Sequence, residues 1–111
     1  MSITPVAEIK TIRMGTTPTQ SYTLDLETLS GCKIIVTYSQ RGSILFERRE
    51  SDMNITDNVI EFDLTQAETL MLRTDCDLEI QVRVLDPSGT AYGSGKKKVK
   101  VLPIDNREVM E

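Results

Sequence analysis

Apolar and polar residues alternate most clearly in the last third of the chain, from Cys76 to Leu102. A period of two is typical of a strand with one buried face and one solvent-exposed face. Between the two alternating runs, Asp86-Pro87-Ser88-Gly89 has the composition of a tight turn. We therefore predict a β-hairpin, whose apolar face the rest of the chain must cover. The residues expected to point inward are Leu78, Ile80, Val82, Val84, Val99 and Val101.

Further strand patterns precede this hairpin and are separated by residues that favour turns. The predicted strands are 8–14, 20–26, 32–39, 44–49 and 59–64. In the third of these, Ile35 lies opposite the main apolar face, so both faces are expected to be partly covered, as in a central strand. We expect Leu24, Val36 and Phe62 to share one core with the hairpin. The polar segment 51–58 is rich in Asp and Asn and is predicted to be a loop.

One short helical turn is predicted after the fifth strand. Thr65 and Glu68 have the spacing of a capping box, in which each side chain binds the backbone N–H of the other residue. Residues 1–7 are expected to form an N-terminal arm. Pro103 is expected to end the last strand, leaving 103–111 as a C-terminal tail.

About seven short strands and one helical turn predict an all-β protein, an antiparallel β-sandwich that forms a single domain over residues 1–111. The alternation Ile80-x-Val82-x-Val84 followed by Asp86-Pro87-Ser88-Gly89 resembles the last hairpin of immunoglobulin and fibronectin type III domains. That resemblance implies an immunoglobulin/fibronectin III-like sandwich. The chain departs from it in having no Trp, and no Tyr in the position of a tyrosine corner.

Three segments are similar to small β-sandwich proteins encoded in phage and prophage structural regions. They are Val36-Thr37-Tyr38-Ser39-Gln40, Leu64-Thr65-Gln66-Ala67-Glu68-Thr69 and Glu79-Ile80-Gln81-Val82-Arg83-Val84. The resemblance implies a virion component of the tail, baseplate or capsid, without catalytic residues.

Charge and composition narrow the possible partners and the location. A net charge of −4 opposes general attraction to phosphate backbones, so we expect no nucleic-acid partner. The segment Met1 to Met14 has no apolar run behind a basic start, and the sequence has no apolar run long enough to span a bilayer. We therefore expect no signal peptide and no membrane partner. The expected location is the bacterial cytoplasm during synthesis and then the phage virion.

The sequence offers little material for catalysis. It contains no His, which removes the usual general base and the commonest transition-metal ligand. Cys32 and Cys76 are too few for a zinc site and are expected to be free thiols that act as small buried or half-buried apolar residues. The carboxylates Asp52, Asp57, Asp75 and Asp77 are interpreted as turn and solubility residues. We therefore expect a non-enzymatic protein with no catalytic residues, no cofactor and no metal.

The lysine-rich segment that begins at Gly93 lacks the spacing of a phosphate-binding loop. We interpret its lysines as residues on a solvent-exposed edge strand, or alternatively as contacts for an acidic partner. The candidate interaction surface consists of Lys96, Lys98, Lys100, Ile104, Val109 and Met110.

Three function classes remain open, in descending order: a phage structural or assembly component, an immunoglobulin-like protein-binding module outside a virion, and an enzyme. The expected partners are proteins, either further copies of the chain or other virion proteins. Self-association is expected because Ile35, Leu45 and Leu85 lie outside the main apolar face. The tail is expected to lie across a neighbouring subunit.

Overall fold

A computed structural model describes residues 1–7 and 9–110 and shows two β-sheets packed face to face. Within those residues the chain forms nine strands, one α-helix and one 3₁₀ turn. The strands are β1 (Thr11–Arg13), β2 (Thr19–Thr23), β3 (Lys33–Gln40), β4 (Ser43–Arg49), β5 (Asn54–Thr56), β6 (Val59–Asp63), β7 (Leu78–Leu85), β8 (Ala91–Gly93) and β9 (Lys97–Leu102). The helix α1 spans Gln66–Leu70, and the 3₁₀ turn spans Glu50–Asp52.

The larger sheet has the strand order β1-β9-β7-β3-β4, and β8 extends it by pairing with β7. The smaller sheet has the order β2-β6-β5. Neighbouring strands are antiparallel in both sheets, except that β1 runs parallel to β9. The prediction of an all-β chain with two sheets is confirmed, and β3 lies in the middle of the larger sheet as its two-sided pattern indicated.

The core lies between the two sheets, and in β2, β6, β7 and β9 buried and more exposed side chains alternate. On β7, Ile80 and Val82 are almost fully buried, whereas the neighbouring Arg83 is exposed. Burying one face of the core strands removes apolar area from water, which is the main stabilising contribution to such a sandwich. The six residues predicted to share one core belong to one buried cluster: Leu24, Val36, Phe62, Ile80, Val82 and Val84.

The predicted hairpin from Cys76 to Leu102 is confirmed, with an interruption in its second arm. After the turn, β8 pairs with the end of β7, and β9 then pairs with its beginning. Gly89 has a φ of 91°, a conformation that costs a residue with a Cβ atom about 1 to 2 kcal/mol. Between β8 and β9, Ser94 replaces the regular pairing, because its hydroxyl accepts a hydrogen bond from the Val82 N–H at 2.8 Å.

The capping box at the start of α1 is confirmed. The Glu68 N–H donates to Thr65 Oγ1 at 3.1 Å, and the Thr65 N–H donates to a Glu68 carboxylate oxygen at 2.9 Å. The Thr69 hydroxyl donates to the Thr16 carbonyl at 2.8 Å, which fastens the helix to the β1–β2 connection. The helix therefore closes one end of the sandwich.

The prediction that 51–58 is a loop is wrong. Its first residues complete the 3₁₀ turn, and β5 then pairs with β6 through a two-residue reversal at Asp57-Asn58. Asp57 has a φ of 53°, which Asp tolerates better than most residues. All three residues of β5 are exposed. An edge strand without a buried face carries no hydrophobic alternation, so the pattern gave no signal.

The interpretation of the lysine-rich strand as a sheet edge is wrong for the second half of β9. β1 pairs with β9 from Lys100 to Leu102, whereas Lys97 and Lys98 pair with β7 and, within the described residues, no strand pairs with their other side. The predicted strand 8–14 is reduced to Thr11–Arg13, and Glu8 lies outside the described residues. A lysine pointing to solvent from a central strand gives the same sequence pattern as one on an edge strand, which explains the error.

The N-terminal arm, 1–7, is paired with both sheets rather than extended into solvent. The Ile3 N–H donates to the Gly93 carbonyl in the larger sheet, at 3.1 Å. Val6 and Thr23 then exchange two backbone hydrogen bonds in the smaller sheet, at 2.8 and 3.0 Å. Ile3 is buried in the core. The arm thus crosses from one sheet to the other.

Candidate functional site

The lysines singled out in the sequence lie on the outer side of the larger sheet. On β9, Lys98 and Lys100 are exposed and alternate with the buried Val99. Lys96 precedes the strand, and its ammonium group lies 3.4 Å from a carboxylate oxygen of Glu79 on β7. The predicted lysines therefore belong to one continuous sheet surface.

Three further cations, from other strands, lie on this surface and were missed in the sequence. Lys33 and Arg83 are exposed on β3 and β7, and Arg49 is exposed on β4. The strand pairings place Ile35 between Arg49 on one side and Arg83 on the other. Only the pairing order brings these residues together, so no local sequence signal could have found them. The same side of the sheet also carries carboxylates, Glu79 on β7 and Glu47 on β4, and Glu47 forms an ion pair with Arg49 at 3.3 Å. We call the part of this surface that carries the six cations the basic face; its cations are Lys33, Arg49, Arg83, Lys96, Lys98 and Lys100.

The basic face also carries partly exposed apolar residues. Leu85 is 40% exposed, and Ile35 is half-buried. Together with Lys33, Arg49, Arg83 and one acidic residue, Glu50, they line a shallow depression at one end of the larger sheet. Apolar residues beside arginine, with a polar rim, are found at many protein-binding surfaces. The depression therefore has the character of a protein contact.

The outer side of the smaller sheet has the opposite charge. Its strands β2, β5 and β6 contain no lysine or arginine, and Glu61 and Asp63 are exposed on β6. Asp52 shares a shallow depression with these two carboxylates. Asp63 accepts a hydrogen bond from the Thr19 hydroxyl at 2.6 Å, which holds its carboxylate in place. We call the surface formed by Asp52, Glu61 and Asp63 the acidic face.

The C-terminal tail lies against its own domain. The Met110 N–H donates to Gln66 Oε1 at 2.9 Å, and Gln66 Nε2 donates to the Met110 carbonyl at 3.1 Å. Ile104 is half-buried and packs against the core. Val109 and Met110 have exposed side chains. Of the three tail residues in the candidate interaction surface, Ile104 is therefore held within the chain itself.

A buried polar cluster, also missed in the sequence, lies between the sheets. Gln20 Oε1 accepts hydrogen bonds from the hydroxyls of Tyr22 and Tyr38, at 3.0 and 2.9 Å. Within the described part of the chain, Gln20 Nε2 has no hydrogen-bond partner. Burial, partly offset by the hydrogen bond to Tyr38, raises the pKa of Tyr22 to about 12. The phenols thus remain neutral at physiological pH and act as hydrogen-bonding groups.

An ion pair closes this polar cluster towards α1. Both guanidinium nitrogens of Arg48 bind the Glu68 carboxylate, and each side chain is 16% exposed. Burial raises the pKa of Glu68, but the hydrogen bonds from Arg48 and Thr65 lower it by more, so the net shift is downward. The Arg48 guanidinium also lies 6.0 Å from the centre of the Phe62 ring. The pair joins β4 of the larger sheet to the helix.

The remaining candidate groups have ordinary structural roles. Arg73 and Arg41 both bind Asp75, and the hydrogen bond from Arg73 is the main cause that lowers the pKa of Asp75 to about 2.

Cys32 and Cys76 are free thiols, as predicted. Burial, with a smaller effect of the Asp86 charge, raises the pKa of Cys32. Over residues 1–7 and 9–110, the structure contains no group of three acidic or cysteine side chains that could hold a metal.

Comparison with known proteins adds no family to these observations. No protein-family model matches the chain, and no curated protein is significantly similar to it. Within the described residues, no helix has both the length and the apolar character needed to cross a lipid bilayer. The proposed function therefore rests on the two charged faces.

Proposed function

We propose that the chain is a non-enzymatic structural or assembly component of a phage or prophage particle and binds another protein through its basic face. The observation that carries this proposal is the composition of that face, in which Ile35 and Leu85 lie among cations. Desolvated apolar residues provide affinity at such surfaces, and the charges around them provide orientation and selectivity.

We also propose an immunoglobulin-like topology for the sandwich. In immunoglobulin domains the second and fifth strands pair in one sheet, and the third, sixth and seventh strands pair in the other. In this comparison β2 and β6 take the places of the second and fifth immunoglobulin strands, and they pair in the smaller sheet. The strands β3, β7 and β9 take the places of the third, sixth and seventh, and they are neighbours in the larger sheet, which β4 extends. The helix α1 lies between β6 and β7, where the chain passes from one sheet to the other. This strand order supports the proposal.

The assignment to a particle is supported by the three segments similar to phage-encoded sandwiches. In the chain these segments lie on β3, at the start of α1 and on β7, so two of the three belong to the sheet that carries the basic face. The proposed location is accordingly the bacterial cytoplasm during synthesis and the virion afterwards. The alternative is an immunoglobulin-like binding module outside a virion, which the same face would also suit.

Quantitative mass spectrometry of purified particles tests the particle assignment. Particles released by the bacterium that carries this gene would be purified by density gradient, and peptides of the chain quantified against labelled standards. We expect a fixed whole-number ratio to the major tail or capsid protein, and depletion of an abundant cytoplasmic enzyme as the control. Recovery of the chain only in the particle-free lysate would refute the assignment and favour the alternative.

A further inference from the structure

The strands that carry Arg83 and Lys98 and the strand that carries Glu61 and Asp63 belong to two sheets that share one core, so these side chains lie on opposite outer surfaces. The two faces meet at the 3₁₀ turn, where the Arg49 N–H donates to the Asp52 carboxylate at 3.1 Å. Within one copy, Arg83 and Lys98 therefore cannot reach Glu61 and Asp63. A second copy of the chain can place its acidic face on the basic face of the first. In an assembly of more than two copies, each internal copy would use both of its faces.

We propose that the partner of the basic face is the acidic face of a second copy, so that copies associate head to tail. This inference rests on the proposed function, because it names the partner of the same face. It gives Glu61 and Asp63 the role of binding Arg83 and Lys98 of the neighbouring copy, while Ile35 and Leu85 provide apolar contact.

The charges favour this arrangement over a symmetric dimer. Pairing two basic faces would bring Arg83 and Lys98 of both copies together, and like charges facing each other across an interface repel and disfavour association. Within residues 1–7 and 9–110, no carboxylate forms an ion pair with Lys33, Arg83, Lys98 or Lys100. These cations are therefore available to an external partner. Their attraction to exposed carboxylates would weaken as salt shortens the screening length.

Head-to-tail contacts are heterologous, meaning that the two surfaces in contact differ. Such contacts leave one unused face at each end of an assembly. They form a ring if the rotation between copies closes, and otherwise an open stack. Either form is suited to a repeated component of a particle.

Two matched variants test the proposal by sedimentation velocity. The basic-face variant is Arg83→Gln with Lys98→Gln, and the acidic-face variant is Glu61→Gln with Asp63→Asn. The control, Arg41→Gln with Arg73→Gln, removes the same number of cations at the pair with Asp75, away from both faces. We expect the wild type and the control to associate at low salt with increasing concentration. Each face variant should remain monomeric.

Mixing the two face variants is the decisive step. The basic-face variant keeps an intact acidic face, and the acidic-face variant keeps an intact basic face. An equimolar mixture should therefore form dimers that contain one copy of each variant and grow no further. A mixture that stays monomeric would overturn the proposal, as would wild-type protein that stays monomeric at about 100 μM in low salt, because its dissociation constant would then lie above about 100 μM.

A test without substitutions covers the case in which a variant does not fold. Raising the salt from about 20 mM to about 500 mM should return associated wild-type protein to monomer, because surface charges are then screened over a few ångströms. Association that persists unchanged at high salt would contradict the charge-based contact. A monomeric chain that is nevertheless found in particles would refute this inference alone. A chain that associates but is absent from particles would refute only the particle assignment.

Discussion

Tyr38 lies between two polar partners at the centre of the sandwich, and its hydroxyl donates to Gln20 at 2.9 Å. Replacing Tyr38 by Phe removes this donor and leaves Gln20 with fewer partners, so it should cost about 1 kcal/mol of the unfolding free energy. Urea titration followed by circular dichroism measures the change. Tyr92→Phe is the control, since the half-buried Tyr92 hydroxyl has no hydrogen bond within the described residues. Equal losses in the two variants would contradict the role of the cluster.

The ion pair between Arg48 and Glu68 makes the free energy of unfolding depend on pH. In the folded chain the pKa of Glu68 is lowered, so its contribution is present above about pH 4.3 and is lost as pH falls through the folded value. Glu68→Gln keeps a side chain able to cap α1 but leaves Arg48 unpaired, which should cost about 1 to 3 kcal/mol at pH 7. Urea midpoints at about pH 7 and about pH 3 measure both effects.

For the same pair, the Glu68→Gln variant should lose less stability on acidification than the wild type. Adding Arg48→Met should recover part of the loss at pH 7, because the unpaired buried charge is removed while the apolar stem is kept. An unchanged acid response in Glu68→Gln would assign the pH dependence to other carboxylates.

Two neighbouring residues of strand β7 point to opposite sides of the larger sheet and differ in burial. Val82 is almost fully buried and Arg83 is exposed. Val82→Ala should cost about 1 to 3 kcal/mol through lost burial and a residual cavity, and Arg83→Ala less than about 0.5 kcal/mol. Denaturant titration of both variants measures the difference. Similar losses would mean that the faces of β7 have been assigned wrongly.

The strands that could be predicted from the sequence are those in which the order of apolar and polar residues reflects which side chains are buried. The strands from β2 to β4, with β6, β7 and β9, have alternating or continuous apolar residues, and α1 has a capping box that acts over three residues. β5 has no buried residue and so gave no such signal. The parallel pairing of β1 with β9 joins segments that are far apart in the chain, which periodicity cannot reveal.

The same limit applies to the candidate site. The lysines at and just before β9 lie close together in the sequence and could be recognised there. In contrast, Lys33, Arg49 and Arg83 lie beside them only because of the strand order of the larger sheet. Pairing between distant segments therefore supplied half of the basic face.

At the scale of the whole molecule, the tail is part of the fold. A Cβ atom at Gly15 would lie 3.5 Å from both Ile104 Cδ1 and Leu70 Cδ2, so these two side chains pack over the β1–β2 connection. Deleting the residues after Leu102 should therefore lower the unfolding free energy by about 1 to 3 kcal/mol, the cost of uncovering an apolar contact. Deleting those after Asp105 keeps Ile104 and should cost less. Thermal unfolding of the two truncations measures the difference; equal stability would contradict the packing of Ile104.

The central claim is that the basic face of one copy contacts the acidic face of another, and zero-length crosslinking tests it most directly. A carbodiimide joins a lysine to a carboxylate only when the two groups touch, and the two faces of one copy lie on opposite sides of the core. In an equimolar mixture of ¹⁴N- and ¹⁵N-labelled protein at low salt, we predict crosslinked peptides that join Lys98 or Lys100 to Glu61 or Asp63. These peptides should carry one light and one heavy chain in about half of the cases, the proportion for random pairing of copies. Crosslinks confined to pairs within one chain, such as Lys96 to Glu79, would contradict the claim.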